Sequence, residues 1–235
     1  MQAIILAGGL GTRLKEAVPD LPKPMAPIAG RPFLAHQLDY WIKQGVSRFI
    51  LAVSYRYETI QDYFKGRYKI AEIVYSVEKT PLGTGGGLLL ALTQLQNKDS
   101  FLVLNGDTYF EVTLKSLHAF HQIKKSDVTF GLFRSSDKKR YSGMELDSDS
   151  RILSIQARDS EVRNGGVYLF RNPSILEESL NFYEKSSLED ELFPKLLKQG
   201  KQLFGLICTS KFLDIGIPED YYSAESLIQN QGGES

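Results

Sequence analysis

The chain has 235 residues, 42% hydrophobic and 24% charged, an ordinary globular composition with room for one well-buried core. Lys plus Arg and Asp plus Glu each number 28, so no bulk charge draws the protein to nucleic acid or to an anionic membrane, and any phosphate site has to be local. The lone Cys208 excludes an internal disulfide and a four-cysteine zinc site.

The start, MQAIILAGGLG, has no basic leader and its apolar run stops at Ala7. That predicts neither a signal peptide nor a membrane anchor, with the cytoplasm as the default location. Gln2–Leu6 reads as a buried strand ended by glycines. Pro32–Gln44 reads as a helix, with Leu34, Leu38 and Trp41 on one face and Gly45 as the stop. Strand Arg48–Ser54, helix Glu58–Lys65, strand Glu72–Ser76, helix Gly85–Leu95 and strand Ser100–Leu104 follow. This alternation predicts an α/β fold, a mostly parallel sheet with helices on both faces.

After Asp107 the rhythm changes. Helix Leu114–Lys124 precedes the strand candidates Val128–Phe133, Met144–Leu146, Ile152–Ile155 and Gly166–Phe170, whose short connections predict antiparallel strands inserted near the pocket. Helices are expected at Ser174–Leu180, Ser187–Lys198 and Pro218–Ile228, with strand Gln202–Ile207 between the last two. We expect one domain over 1–229 and a frayed tail over 230–235. His118 and His121 share an (i, i+3) spacing without Cys or carboxylate neighbours, and read as a solvated helix face.

Open α/β sheets bind ligands beyond the carboxyl ends of their strands, where Ala7–Leu14 must lie. Gly8, Gly9 and Gly11 let backbone N–H groups approach phosphate oxygens, Thr12 adds a hydroxyl, and Arg13 adds a planar cation. Glycines alone equally suit a structural turn, and the segment is neither a P-loop nor a dinucleotide fingerprint. Arg13 and the segment Leu21-Pro22-Lys23-Pro24 shift the reading, because two prolines present Lys23 with little freedom. Asn105-Gly106-Asp107 puts Asp107 at the carboxyl edge of a strand, and Asp214 is expected at another strand end. Two such aspartates suit Mg²⁺ shared with phosphate oxygens better than either suits a core. Glu78–Gly87, EKTPLGTGGG, is a turn at Pro81 running into a glycine-rich helix start, against which a flat base could lie.

Gly8-Gly9-Leu10-Gly11-Thr12-Arg13-Leu14 followed by Pro22-Lys23-Pro24 resembles the signature of the sugar-1-phosphate nucleotidylyltransferases, and further matching segments span nearly the whole chain. The resemblance implies their Rossmann-like three-layer αβα fold, with a nucleoside triphosphate and a sugar 1-phosphate as partners and neither nucleic acid nor membrane; self-association stays open. It implies triphosphate binding by Gly8, Gly9, Gly11 and Thr12, with Arg13 steadying departing pyrophosphate and Lys23 contacting the reacting phosphates. Arg13, Lys23 and Asp107 then form the catalytic set, and Asp107 and Asp214 hold Mg²⁺. Glu78, Pro81, Gly83 and the Leu6-Ala7-Gly8 backbone surround the base. Asn164-Gly165-Gly166-Val167-Tyr168 is similar to the family's sugar-binding strand, and Asn105, Gly143 and Asn164 are the implied sugar-phosphate contacts. One departure stands out: the family's Glu-Lys pair before that strand reads Ala157-Arg158 here.

Within the family the short length, NGDTYF and DIGIPEDYY look most like the heptose 1-phosphate guanylyltransferases. The N-acetylmuramate 1-phosphate uridylyltransferases are the competing subgroup, and a glutamate acceptor at Glu78 suits guanine better than uracil. Glu189 and Asp190 read as helix-dipole partners. Asp147-Ser148-Asp149 has the spacing of a glycosyltransferase metal motif but reads as a hairpin turn. A catalytically silent nucleotide-sugar-binding subunit is the reading from another class; it predicts loss of Arg13, Lys23 or an aspartate, and all are present.

Overall fold

The structure is a computed structural model. It describes residues 1–9, 11, 14, 17–137, 143–157, 159–181 and 184–229, the side chains of 225–229 excepted. The first half runs β1 (Gln2–Leu6), a 3₁₀ turn (Lys23–Met25), β2 (Pro27–Ile28), β3 (Arg31–Pro32), α1 (Phe33–Lys43), β4 (Arg48–Val53) and α2 (Tyr57–Phe64). There follow β5 (Arg67–Tyr68), β6 (Ala71–Val77), α3 (Gly83–Leu92), β7 (Phe101–Asn105), β8 (Thr108–Phe110) and α4 (Leu114–Lys124). The second half comprises β9 (Val128–Arg134), β10 (Glu145–Leu146), β11 (Ile152–Ser154), β12 (Val162–Phe170) and α5 (Ser174–Glu177). A π turn (Leu188–Leu192), α6 (Phe193–Lys198), β13 (Leu203–Ile207), β14 (Phe212–Asp214) and α7 (Pro218–Gln229) complete it.

Eight strands form one sheet in the order β13-β9-β12-β7-β1-β4-β6-β5. β7, β1, β4 and β6 are parallel neighbours, as the alternation predicted. β12 is the antiparallel insertion, lying between β7 and β9. Successive residues of β1 point to opposite faces, as a strand requires. Ile4 joins Leu88 and Leu89 of α3 and Phe193 of α6, while Ala3 and Ile5 join Leu34, Leu38 and Trp41 of α1 with Ile60 of α2 and Leu117 of α4. Each fully buried side chain of that size is worth about 1.5–3 kcal/mol. The stripe on α1 therefore outweighs its intrinsic helix propensity. A third cluster, Leu14, Val18, Phe33, Tyr109, Leu213 and Ile215 among it, packs β8, β14 and the β2–β3 hairpin together.

The differences from expectation have local causes. α1 starts at Phe33 because Pro32 is extended (φ −55°, ψ 140°) and pairs with Pro27. β12 begins at Val162 rather than Gly166, and a bulge between Asn164 and Val167 hides the continuity of its alternation. The helix expected at Ser174–Leu180 ends at Glu177, and Ser187–Lys198 splits into the π turn and α6. His121 is not solvated: it is 6% exposed, with Nδ1 2.8 Å from Thr129 Oγ1 on β9. Burial lowers its pKa to about 4. Asp147 closes the β10–β11 turn, its Oδ1 accepting from the N–H of Asp149 and Arg151. That is the hairpin expected there.

Candidate active site

Parallel register brings three strand ends together. Leu6 pairs with Ala52 on one side and Asn105 on the other, so the carboxyl ends of β4, β1 and β7 form one row. All three residues line a cleft of about 280 Å³. A wider polar groove of about 1020 Å³ lies at the opposite, amino end, bordered by Met1, Ser47 and Ser100. The cleft is the better site despite its size, because the reactive side chains converge there and because ligands of such sheets bind at carboxyl ends.

Beside that row stand Ala7, Gly8 and Gly9, with Lys23 and Pro24 from the 3₁₀ turn. Pro22 is extended (φ −65°, ψ 145°) and Pro24 occupies the first turn, so the prolines do fix Lys23. Its ammonium is nearly buried and lies 2.7 Å from Asp107 Oδ2. Asp107 follows Gly106, whose N–H donates to Leu6 O at 3.0 Å. A Cβ on Gly106 would stand 2.6 Å from that same oxygen, so the turn closes against β1 only with glycine. Gln37, buried in α1, clamps the turn from below: its Nε2 donates to Asn105 O (2.8 Å) and Thr108 O (2.9 Å).

Asp214 arrives by a second ladder. β14 pairs with β8, Asp214 opposite Thr108, and Ile215 N donates to Asp107 O at 3.1 Å. The two aspartates thus come from adjoining segments, although Asp214 borders the neighbouring groove with Phe133 and Asp220 rather than the cleft itself. Among the described residues no group of three or more His, Cys, Asp or Glu could hold a metal alone. Two carboxylates make an oxygen-only donor set, the kind Mg²⁺ uses with water and substrate phosphate completing its shell.

The opposite wall is Glu78, Pro81, Gly83 and Thr84. Here the sequence reading needs correction. Gly83, Gly85 and Gly86 of α3 do not lie open to a flat base but receive the backbone of 184–186, and Gly87 packs against Glu78; Gly83 still borders the cleft. A Cβ on Gly83 (φ +72°) would stand 2.4 Å from Ser186 O, and one on Gly86 2.4 Å from Glu184 O. Gly85 N donates to Ser186 O (2.9 Å), Ser186 N to Leu82 O (2.9 Å), and Leu188 N to Thr84 Oγ1 (2.9 Å). Glu78 is also largely inward, its Oε2 accepting from Leu82 N at 2.9 Å. Burial pushes its carboxyl above the usual range, opposed by that bond.

The Asn-Gly-Gly segment is the bulge of β12. Asn164 Oδ1 caps Gly166 N, and Asn164 Nδ2 donates to the Tyr168 hydroxyl at 2.8 Å. That hydroxyl donates to Glu189 Oε1 at 3.3 Å. Glu189 is therefore more than a helix-dipole partner. Burial pushes its carboxyl up against its hydrogen bonds, and the charges of Asp190 and Asp107 add to the shift, which ties Glu189 to the cleft's surroundings.

Leu6, Ala7, Gly8, Gly9, Lys23, Glu78, Pro81, Gly83, Asn105 and Asp107 are thus brought together as the sequence predicts. Gly11 packs on the Lys23 side chain instead, Gly143 lies against Ala157 and Arg163, and Asn164 acts through Tyr168. Thr12 and Arg13 lie outside the described residues, as do 138–140, Arg158 and the tail 230–235. Sequence reasoning missed Ala52, Lys185, Gln37 and the role of Glu189. Gln37 alone left a signal, a glutamine on the apolar stripe of α1.

Comparison with known proteins adds four findings. The family model described as Nucleotidyl transferase matches residues 2–231. The chain is 41% identical over 234 residues to the D-glycero-alpha-D-manno-heptose 1-phosphate guanylyltransferase of Aneurinibacillus thermoaerophilus, covering 98% of this chain and 99% of that one. It is 34% identical to the mannose-1-phosphate guanylyltransferase of Mycobacterium tuberculosis, covering 94% of this chain but 62% of that relative. The crystal structure of HddC from Yersinia pseudotuberculosis complexed with GMP-PN superposes with a TM-score of 0.84 at 35% identity, covering 97% of this chain and 99% of that one.

Proposed function

The chain belongs to the nucleotidyl transferase family, and from that membership we propose that it transfers the guanylyl group of GTP to D-glycero-α-D-manno-heptose 1-phosphate. The products are GDP-heptose and pyrophosphate. The observation that carries the choice of acceptor is similarity. The chain is 41% identical to the heptose enzyme over 234 residues and 34% identical to the mannose enzyme over 227 residues.

The reaction is an in-line displacement. An oxygen of the sugar 1-phosphate attacks the α-phosphorus of GTP; the new O–P bond forms as the bond to the β-phosphate oxygen breaks, and pyrophosphate leaves with that electron pair. Such transfer needs alignment and charge neutralisation more than covalent help. The backbone of Gly8 and Gly9 cradles the triphosphate, and Lys23, held beside Asp107 at 2.7 Å, donates to the reacting phosphate oxygens. Arg13 steadies pyrophosphate. Asp107 and Asp214 would hold Mg²⁺, whose charge neutralises phosphate oxygens when bound. Ala52, Glu78, Pro81 and Gly83 enclose the base. Asn105 meets the sugar phosphate from the cleft, and Asn164, linked through Tyr168 to Glu189, serves the same side.

A nucleoside triphosphate substrate argues for a cytoplasmic enzyme; no helix among the described residues is long and apolar enough to cross a membrane. The test is a matrix of nucleoside triphosphates against sugar 1-phosphates, scored by pyrophosphate release. GTP with heptose 1-phosphate should dominate. A preference for UTP with N-acetylmuramate 1-phosphate would replace this reading with the uridylyl one.

A further inference from the structure

Lys185 lines the cleft from the segment 184–187, and its position is fixed from both sides. Ser186 is hydrogen-bonded to Leu82 and Gly85, and Leu188 N donates to Thr84 Oγ1. These partners belong to the start of α3, the wall that encloses the base, and not to the wall of Gly8, Gly9 and Lys23 that meets the phosphates. The Lys185 side chain is exposed and makes no hydrogen bond or ion pair among the described residues. Lys23, the cleft's other cation among the described residues, is held beside Asp107 on the phosphate side. Lys185 therefore combines a backbone anchored to the wall proposed for the base with an ammonium unengaged among the described residues.

An ammonium only donates. Guanine presents two adjacent acceptors, O6 and N7, along one edge. Adenine places an amino donor beside N7, cytosine presents an amino group, and thymine a single carbonyl. Glu78 offers little contrast on its own, because its Oε2 is held by Leu82 N. We propose that Lys185 is a specificity-determining residue that donates to the O6/N7 edge of the bound guanine. This rests on the reading of GTP as the donor substrate.

The test compares wild type with Lys185→Met, which keeps most of the aliphatic stem and removes the charge, on GTP and on 7-deaza-GTP. A charge-assisted bond corresponds to roughly a tenfold to hundredfold change in affinity. KM for GTP should rise by about tenfold or more, with kcat moving less and KM for the sugar 1-phosphate unmoved. Replacing N7 should weaken the wild type severalfold and leave Lys185→Met indifferent, while Lys185→Arg should restore the discrimination. Wild-type turnover of GTP with an unchanged KM in Lys185→Met overturns the role of Lys185 alone. An N7 penalty that persists in Lys185→Met does the same. Turnover of UTP in place of GTP by the wild type overturns the donor assignment, and with it the role of Lys185.

Discussion

Lys23 Nζ lies 2.7 Å from Asp107 Oδ2, a contact that joins positions 84 residues apart at the centre of the cleft. The lysine is 9% exposed and the aspartate 40%. A pair open on one side contributes little to stability, about 1 kcal/mol or less. Under the proposed transfer its geometry holds Lys23 ready for the reacting phosphates. Lys23→Met and Asp107→Asn should lower kcat by about a hundredfold or more, the scale of losing one preorganised electrostatic contact. Thermal melts should shift by only a few degrees. A kcat within twofold of wild type would remove that residue from the transfer step.

Metal dependence follows from the donor set. Chelation with EDTA should abolish turnover and Mg²⁺ restore it. Asp214→Asn should raise the Mg²⁺ concentration needed for half-maximal rate without changing the fold, read by circular dichroism. Full activity in EDTA would rule out the aspartate pair as a metal site.

The strap over α3 makes Gly83 a structural position. Gly83→Ala combines a positive φ with a Cβ 2.4 Å from Ser186 O. It should destabilise the chain by about 1–3 kcal/mol in urea unfolding. KM for the nucleotide should rise as well, because the same contact places the base wall. Unchanged stability would mean that the 184–186 backbone moves away at no cost.

The proposed function puts Asn164 and Glu189 on the acceptor side. Asn164→Ala and Glu189→Gln should raise KM for the sugar 1-phosphate and leave KM for GTP near wild type. Equal effects on both substrates would place the Asn164–Tyr168–Glu189 chain in general packing.

His121 predicts an acid transition. Its ordinary pKa of 6.5 falls to about 4 in the fold, burial being the largest cause. The unfolded chain thus binds the proton more readily. This contribution to stability is complete above pH 6.5 and is lost progressively as pH falls from 6.5 towards 4. His121→Asn should flatten that part of the pH–stability curve, measured by chemical denaturation. An unaltered slope would contradict it.

The site was legible wherever chemistry is written in consecutive residues. Gly8-Gly9, Pro22-Lys23-Pro24 and Asn105-Gly106-Asp107 each announce a strand end or a fixed lysine, and the cleft gathers all three. What escaped were contacts between distant segments. The glycines of α3 read as a surface for a base because nothing near them shows that 184–186 will occupy the space. Ala52 is an ordinary strand residue until its register beside Leu6 is known. β8 and β14, three residues each, are too short for a period-two pattern to emerge. Asn164 stands in a legible motif, while its link to Glu189 needs the fold to bring the π turn beside Tyr168.

The most direct measurement follows the α-phosphate. GTP labelled there is incubated with heptose 1-phosphate and Mg²⁺, and the label is traced by chromatography alongside pyrophosphate release. Label should appear in GDP-heptose, with one pyrophosphate formed per label transferred. Label remaining in GTP, or appearing only in free GMP, would contradict guanylyl transfer to a sugar 1-phosphate.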